Sequence, residues 1–102
     1  MTETQDLARL LSIARSIRVP WRPHPALTVN GATLRVVKFE GHFSDFHKHD
    51  VDECYVVLEG ELLVEIEGEP SIRLERGDAY VVRASVVHRP FALPHASVLL
   101  IT

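Results

Sequence analysis

The chain has 102 residues and a formal net charge of −3, from 11 Lys and Arg against 14 Asp and Glu. This length accommodates a single domain, and the charge argues against a nucleic-acid binder, which would carry a basic surface to neutralise phosphates. No apolar stretch reaches the roughly 18 residues of a membrane-spanning helix. The acidic N-terminus lacks the basic start of a secretory signal, and the one cysteine, Cys54, cannot form an internal disulfide. Both features predict a cytoplasmic protein.

The N-terminal segment has the period of an amphipathic helix. Its apolar residues recur at steps of three and four and therefore share one face: Leu7, Leu10, Leu11, Ala14 and Ile17. Thr2 and Gln5 precede this run with the spacing of a capping box. The proline-rich segment 20–25 then ends the helix, because proline fixes φ and disfavours helix at the residue before it. We expect residues 1–26 to form a helix and an extended arm.

From residue 27 onward the pattern changes to short β-strands separated by turn signals. Asn30-Gly31 predicts a tight hairpin, and Glu59-Gly60 predicts a second turn of the same kind. Further strands are expected at 71–74, 79–82, 88–93 and 97–101. Because no helical stretch separates the strands, the sheet should be antiparallel, and so many short strands suggest a sandwich or barrel. We expect residues 27–102 to form one all-β domain.

Six histidines in so short a chain make their placement the first functional question, because metal ligands, general bases and pH switches all use imidazole. His47 and His49 are two residues apart, so on an extended strand both side chains point to one face with Cα atoms roughly 6.5–7 Å apart. Glu53 has the same parity, and its carboxylate can reach the same ion if the residues between stay extended. A further ligand has to come from another strand, and His88 is the best-placed candidate. This donor set suits a transition metal that keeps open positions for substrate chemistry.

The same histidines also have a plainer interpretation. A His-x-His pair on a strand is often two solvated side chains, and motif matches carry a false-positive risk. Glu53, the flanking glycines and the distant His88 favour the metal site. The remaining histidines, His24, His42 and His95, are expected to be surface or loop residues.

The stretch GHFSDFHKHDVDECYVVLEG, residues 41–60, resembles the first signature motif of the cupin superfamily without a gap. A second motif begins at Gly77, and its histidine falls on His88. This second motif is partial, since three of its residues depart from the family pattern: Arg83 stands in place of proline, Ser85 in place of glycine and Ala92 in place of asparagine. These positions shape turns and packing, so the departures concern local geometry more than metal ligation.

The resemblance implies an antiparallel jelly-roll barrel of about six to eight strands, open at one end. It also implies one divalent transition metal per chain, held by His47, His49, Glu53 and His88. These are the four residues that ligand chemistry and strand parity had already nominated. Three nitrogens and one oxygen suit Fe, Mn, Ni, Cu or Zn, and the ligand types do not choose among them.

Four further residues are expected near the ligand pocket: Phe46, Tyr55, Arg83 and Phe91. The aromatic side chains can line the pocket or simply fill the barrel, since small barrels are packed by their own side chains. Arg83 can anchor an anionic group of a ligand. A salt bridge to an acidic residue on the barrel exterior is the more common use of such an arginine.

The leading functional hypothesis is a metal-dependent enzyme that acts on a small organic molecule, with dioxygenase-type chemistry. Glu53 would be a ligand and, when it dissociates, a proton acceptor. The alternatives are an isomerase or lyase on the same ligand set, a non-catalytic module that senses a sugar or metabolite, and a structural or storage role for the metal. Strands 54–58 and 98–101 are apolar on both faces, so their outer face must be covered by the helix, the arm or a partner chain. The resemblance implies a homodimer, since small cupins usually dimerise through such faces.

Overall fold

A computed structural model describes residues 6–43 and 45–102. In these residues it has one helix and six strands: α1 Leu10–Ser16, β1 His24–Val29, β2 Ala32–His42, β3 Glu53–Ile66, β4 Ile72–Leu74, β5 Ala79–Val82 and β6 His88–Ile101. Neighbouring strands pair antiparallel in the order β1-β2-β6-β3-β4, and β5 also pairs with β3. The predicted all-β jelly-roll barrel with a short N-terminal helix is confirmed. No helix within the described ranges is long and apolar enough to cross a membrane.

Helix α1 is shorter than its apolar period predicts, because it begins after Arg9 and ends at Ser16. The proposed capping residues Thr2 and Gln5 lie outside the described residues. The buried side of the helix packs on the outer face of the sheet, where Ala14 and its neighbours meet the apolar residues of β2, β3 and β6. The helix therefore provides part of the cover that the outer barrel wall needs.

The Asn30-Gly31 hairpin is confirmed, and it joins β1 to β2. Asn30 has φ of 47° and Gly31 has φ of 80°. A two-residue type I′ turn needs positive φ at both central positions, which Asn and Gly tolerate best.

The predicted turn at Glu59-Gly60 is wrong, because β3 runs through it without a break from Glu53 to Ile66. Gly60 has φ of 85° and lies where the register between β3 and β6 shifts, so it forms a bulge. A Cβ at this position would come within 2.2 Å of the carbonyl oxygen of His95. The two strands predicted at 88–93 and 97–101 are likewise one long strand, β6, which pairs with β3 along its length.

The inward-facing side chains of the strands form the interior of the barrel. Its main cluster includes Tyr55, Leu62 and Val98, which are at most 2% exposed. The arm residue Trp21 packs against this interior cluster, not against the outer wall. The interior also holds a polar residue, His88, which is 0% exposed at the start of β6.

Candidate metal centre

Backbone hydrogen bonds to the start of β6 bring the predicted metal ligands together. His47 forms an isolated antiparallel bridge with His88, in which the two main chains exchange bonds of 2.9 and 2.8 Å. The carbonyl oxygen of His49 accepts a 2.8 Å bond from the amide of Ser85. The segment that joins β2 to β3 is therefore fixed against the segment that leads into β6, and both histidines of the pair face His88.

The three imidazoles form one compact group. One ring nitrogen from each of His47, His49 and His88 lies within 4.8 Å of the other two. The ring centroids are 4.8 Å apart for His47 and His49, 4.4 Å for His47 and His88, and 5.5 Å for His49 and His88. Neutral imidazole nitrogens are common ligands of transition metals, so this group can hold a metal ion.

His88 provides the test of whether the residues fit a metal. Its Nδ1 donates to the carbonyl oxygen of Val86 at 2.8 Å, which assigns the ring proton to that nitrogen and leaves Nε2 as a bare acceptor. Nε2 is buried and has no hydrogen-bond partner in the structure. A buried polar group without a partner costs roughly 1–3 kcal/mol. A metal ion at Nε2 would remove this cost, and the bond to Val86 is the outer contact that orients metal-binding histidines.

Glu53, at the start of β3, adds an oxygen beside the three rings. Its Oε1 lies 3.7 Å from Nε2 of His49 and 3.8 Å from Nε2 of His88, and its side chain is 12% exposed. Burial opposes ionisation of this carboxyl, but the neighbouring His88, Tyr55 and His49 outweigh it and lower its pKa. The carboxylate is thus ionised at neutral pH, which is the form that binds a metal.

Two neighbouring groups are held in the protonation states that this site requires. Burial, followed by the charge of Glu53, raises the pKa of Tyr55, so its hydroxyl keeps the proton that it donates to the carboxylate. Burial is also the main effect that lowers the pKa of His47, which favours its neutral ring. A neutral imidazole has the free lone pair that metal ligation needs.

An apolar cavity of about 260 Å³ opens beside the histidines. It is lined by Trp21, Pro23, Val37, Phe39, Phe43, His47, His49, Glu53, Tyr55, Pro90 and Leu100. Its polar groups are the two histidines, Glu53, the tyrosine hydroxyl and the indole N–H of Trp21. The other walls are apolar, and three of their side chains are aromatic, as is common in sites for small molecules.

The four predicted pocket residues have different positions. Tyr55 lines the cavity and is 2% exposed. Phe46 is 40% exposed, and the Cζ atom of Arg89 lies over its ring, 4.5 Å from the ring centroid. Phe91 stacks on His42 with centroids 3.8 Å apart. Neither of these two phenylalanines is among the residues that line the cavity.

Arg83 lies on the surface, with 72% of its side chain exposed, and it is not among the cavity-lining residues. Its guanidinium contacts Asp52 at 3.1 Å, and the same carboxylate accepts the amide of Ala84 at 2.8 Å. The amide of Ala84 and then the guanidinium lower the pKa of Asp52. We call these contacts the Asp52 clip, because they join the residue before Glu53 to the turn before β6.

The other histidines lie outside the cluster. His42 and His95 contact carboxylates, Glu65 at 3.3 Å and Glu40 at 3.5 Å, and both are largely exposed. His24 begins β1 opposite Val36. The sequence had placed these three away from the site.

Sequence reasoning did not find the aromatic wall of the cavity. The indole of Trp21 stacks on Phe39 with centroids 4.6 Å apart and lines the cavity. Phe43, between β2 and the histidine pair, lines it as well. The one sequence feature that could indicate the role of Trp21 is its position within a proline-rich arm. This feature does not indicate on which side of the sheet the arm packs.

The comparisons with known proteins agree with this architecture. The family model of Cupin_2, a cupin domain, matches residues 27–102. The protein YdbB of Bacillus subtilis (strain 168) is 30% identical over 83 residues, which are 81% of this chain and 74% of YdbB. The crystal structure of a cupin-2 domain containing protein from Shewanella frigidimarina superposes with a TM-score of 0.87, at 28% identity over 94% of this chain and 93% of that one.

Larger enzymes share the fold at lower identity. Hydroquinone 1,2-dioxygenase from Sphingomonas sp. TTNP3, solved with 4-hydroxybenzoate bound, superposes with a TM-score of 0.84 at 16% identity, over 92% of this chain and 31% of that one. The hydroquinone 1,2-dioxygenase PnpCD in complex with Fe3+ gives a TM-score of 0.83 at 16% identity, over 95% of this chain and 32% of that one. The likeness to both is one of fold, and this chain spans about a third of each.

Proposed function

This chain belongs to the Cupin_2 family of cupin domains, and from that premise we propose that it is a metal-dependent enzyme acting on a small organic molecule. Dioxygenase-type chemistry is the reaction that we propose. The proposed ligands of one divalent transition metal are His47, His49, Glu53 and His88. The observation that carries the proposal is the buried Nε2 of His88, which has no hydrogen-bond partner and lies 3.8 Å from the Glu53 carboxylate.

When bound, the metal supplies Lewis-acid or redox chemistry to a substrate oxygen at its open positions. The protein's part is to hold its own groups in place. The carbonyl of Val86 orients the His88 ring, and Tyr55 lines the cavity beside the Glu53 carboxylate. Glu53 can accept a proton at a carboxylate oxygen, since its lowered pKa keeps it ionised at neutral pH. The apolar walls of the cavity exclude water from the reacting groups.

Metal analysis is the first test of this proposal. We expect purified protein to bind one transition-metal ion per chain and to lose thermal stability when a chelator is added. An ion present at 100 times its dissociation constant stabilises the folded state by about 2.7 kcal/mol, which corresponds to roughly 10 °C or more in a domain of this size. A protein with no stoichiometric metal and no response to the chelator would contradict the four-ligand site.

Oxygen uptake tests the reaction class. The protein is reconstituted anaerobically with Fe(II) and with Mn(II), and oxygen consumption is followed against small diols, diketones and thiols. We expect uptake with at least one of these substrate classes and none with the metal-free protein. Full metal occupancy without uptake under any condition would reject dioxygenase chemistry and favour the isomerase or the non-catalytic binding module.

We also propose that the protein acts in the cytoplasm as a homodimer. Leu7, before α1, and Leu11, on α1, are 62% and 42% exposed, and they lie beside Leu58 on the outer wall of the barrel. Exposed apolar residues grouped in this way are typical of a surface that another chain covers. The lone Cys54 fits a reducing compartment, since it can form no disulfide within the chain.

A further inference from the structure

The arm between α1 and β1 builds one wall of the cavity. The amide of Trp21 donates to the carbonyl of Lys38 on β2 at 2.8 Å, and the residue has φ of 66°, so the main chain is fixed and turned at this point. The indole stacks on Phe39 with an interplanar angle of 19° and contacts Phe43 at a centroid distance of 5.3 Å. Phe43 in turn contacts the His47 ring at 5.0 Å. A continuous aromatic surface therefore runs from the arm to the histidines.

The chemistry of the walls limits what the cavity can accept. Among the described residues that line it, none is a lysine or an arginine. A ligand can direct one polar edge at the histidines and Glu53, but the rest of it faces apolar side chains. A charge or a set of hydroxyl groups on that remainder would be buried without partners, which is costly. Sugars and ligands with an acidic group far from the histidines are therefore disfavoured.

The size of the cavity is the second limit. At about 260 Å³ it lies just below the range of roughly 300–1,000 Å³ typical of drug-sized ligands, so it suits a compound with a single ring. Aromatic rings prefer stacked or edge-to-face contacts with other rings, and Trp21, Phe39 and Phe43 provide the surfaces for such contacts.

We propose that Trp21 determines the specificity of this cavity, and that its ligand is a planar, single-ring compound that is uncharged away from one oxygen-bearing edge. That edge faces His47 and His49, and the ring lies against the aromatic surface. This inference rests on the proposed function, because it takes the cavity to be the substrate site. It assigns the substrate class and gives the arm a role in recognition.

Isothermal titration calorimetry with two probes tests the role of Trp21. Catechol and cis-1,2-cyclohexanediol carry the same pair of oxygens, but only catechol is planar. We expect Trp21→Ala to weaken catechol binding about tenfold and to change binding of the diol much less. Trp21→Phe, which keeps an aromatic ring, should retain most of the preference. Arg22→Ala, an exposed neighbour in the same arm, is the matched control and should leave both affinities unchanged.

An equal effect of Trp21→Ala on both probes, or no effect on either, would overturn the inference. The metal content of each sample separates this failure from failure of the proposed function. If wild type and variant hold the metal and show no difference between the probes, the metal centre stands and the role of Trp21 is rejected. If no sample holds metal, the proposed function fails, and the inference about Trp21 fails with it because it rests on that function.

A second pair of probes tests the requirement for an uncharged ring. 4-Ethylcatechol and 3,4-dihydroxybenzoate have the same diol edge and differ in charge on the opposite side of the ring. We expect the benzoate to bind at least about tenfold more weakly, because its carboxylate would be buried against apolar walls. Equal or tighter binding of the benzoate would overturn this part of the proposal.

Discussion

At the scale of single residues, His49 and His95 form a matched pair of histidines, one inside the candidate centre and one outside it. The side chain of His49 is 40% exposed, so truncating it leaves no large internal void. We expect His49→Ala to fold normally and to retain almost no metal after dialysis, since it removes a proposed ligand. His95→Ala should bind metal like the wild type. Elemental analysis of both variants checks this, and full occupancy in His49→Ala would remove His49 from the ligand set.

Ser85 shows why a departure from the family motif matters locally. It stands where cupins usually have glycine, and it has φ of 68°. A left-handed backbone costs a residue with a Cβ roughly 1–2 kcal/mol, and the greater freedom of glycine in the unfolded chain offsets roughly 0.5–1 kcal/mol of that. We therefore expect Ser85→Gly to raise the free energy of unfolding by about 0.5–1 kcal/mol, as measured in urea.

The amide of Ser85 bonds to the carbonyl of His49 and is unaffected by this substitution. Metal content should therefore be the same in Ser85→Gly and wild type. If Ser85→Gly is less stable than wild type, the serine hydroxyl contributes more to the free energy of unfolding than the left-handed backbone costs.

At the scale of elements, the metal centre depends on how the segment before β3 is attached to the turn before β6. The Asp52 clip makes one of these attachments, and it is the role that the structure gives Arg83. The amide of Ala84 and the Arg83 guanidinium hold the pKa of Asp52 below its ordinary value of 3.8. A carboxyl whose pKa is lowered by folding contributes stability above its unfolded pKa and loses it as pH falls through the folded pKa.

This linkage predicts the pH dependence of Asp52→Asn. The variant should be less stable than wild type at neutral pH, and the difference should shrink as pH falls below 3.8. Urea unfolding across this range measures the difference. Asp50→Asn is the control, because Asp50 is exposed in the same segment and makes neither contact of the clip. Its difference from wild type in the free energy of unfolding should not shrink in this way. If the difference in the free energy of unfolding between Asp52→Asn and wild type is the same at all pH values, ionisation of Asp52 does not stabilise the protein through the clip.

At the scale of the whole molecule, α1 changes the argument for a dimer. The sequence expected a dimer because the outer faces of two strands were apolar, and the helix covers part of that surface. The surface that we propose for a partner lies beside this cover, where Leu7, before α1, and Leu11, on α1, are exposed next to Leu58.

Light scattering at micromolar concentration tests the assembly. We expect a mass of twice 11.5 kDa for wild type and the monomer mass for Leu11→Glu, since burying a charge at an apolar interface is costly. A monomeric wild type would reject the dimer and leave the metal-site proposal intact, because the four proposed ligands come from one chain.

The sequence alone determined which four side chains are candidate metal ligands, and the structure brings these four together. The spacing of His47, His49 and Glu53 is short and fits a known motif, so local geometry was enough to nominate them together with His88. The strand-parity argument, however, was not the physical cause. The segment 48–52 is not a strand, and the histidine pair faces His88 through the backbone bridge to β6.

Only the tertiary structure decided the features that depend on distant partners. At Gly60 the carbonyl of His95 on β6 leaves no room for a side chain, and the glycine forms a bulge and not a turn. This contact joins residues that are far apart in the sequence, so the residues around Gly60 do not predict it. Trp21 lines the cavity because its amide bonds to Lys38 and its ring stacks on Phe39. Period and spacing report on contacts within an element, whereas the wall of a cavity is set by which elements meet across the barrel.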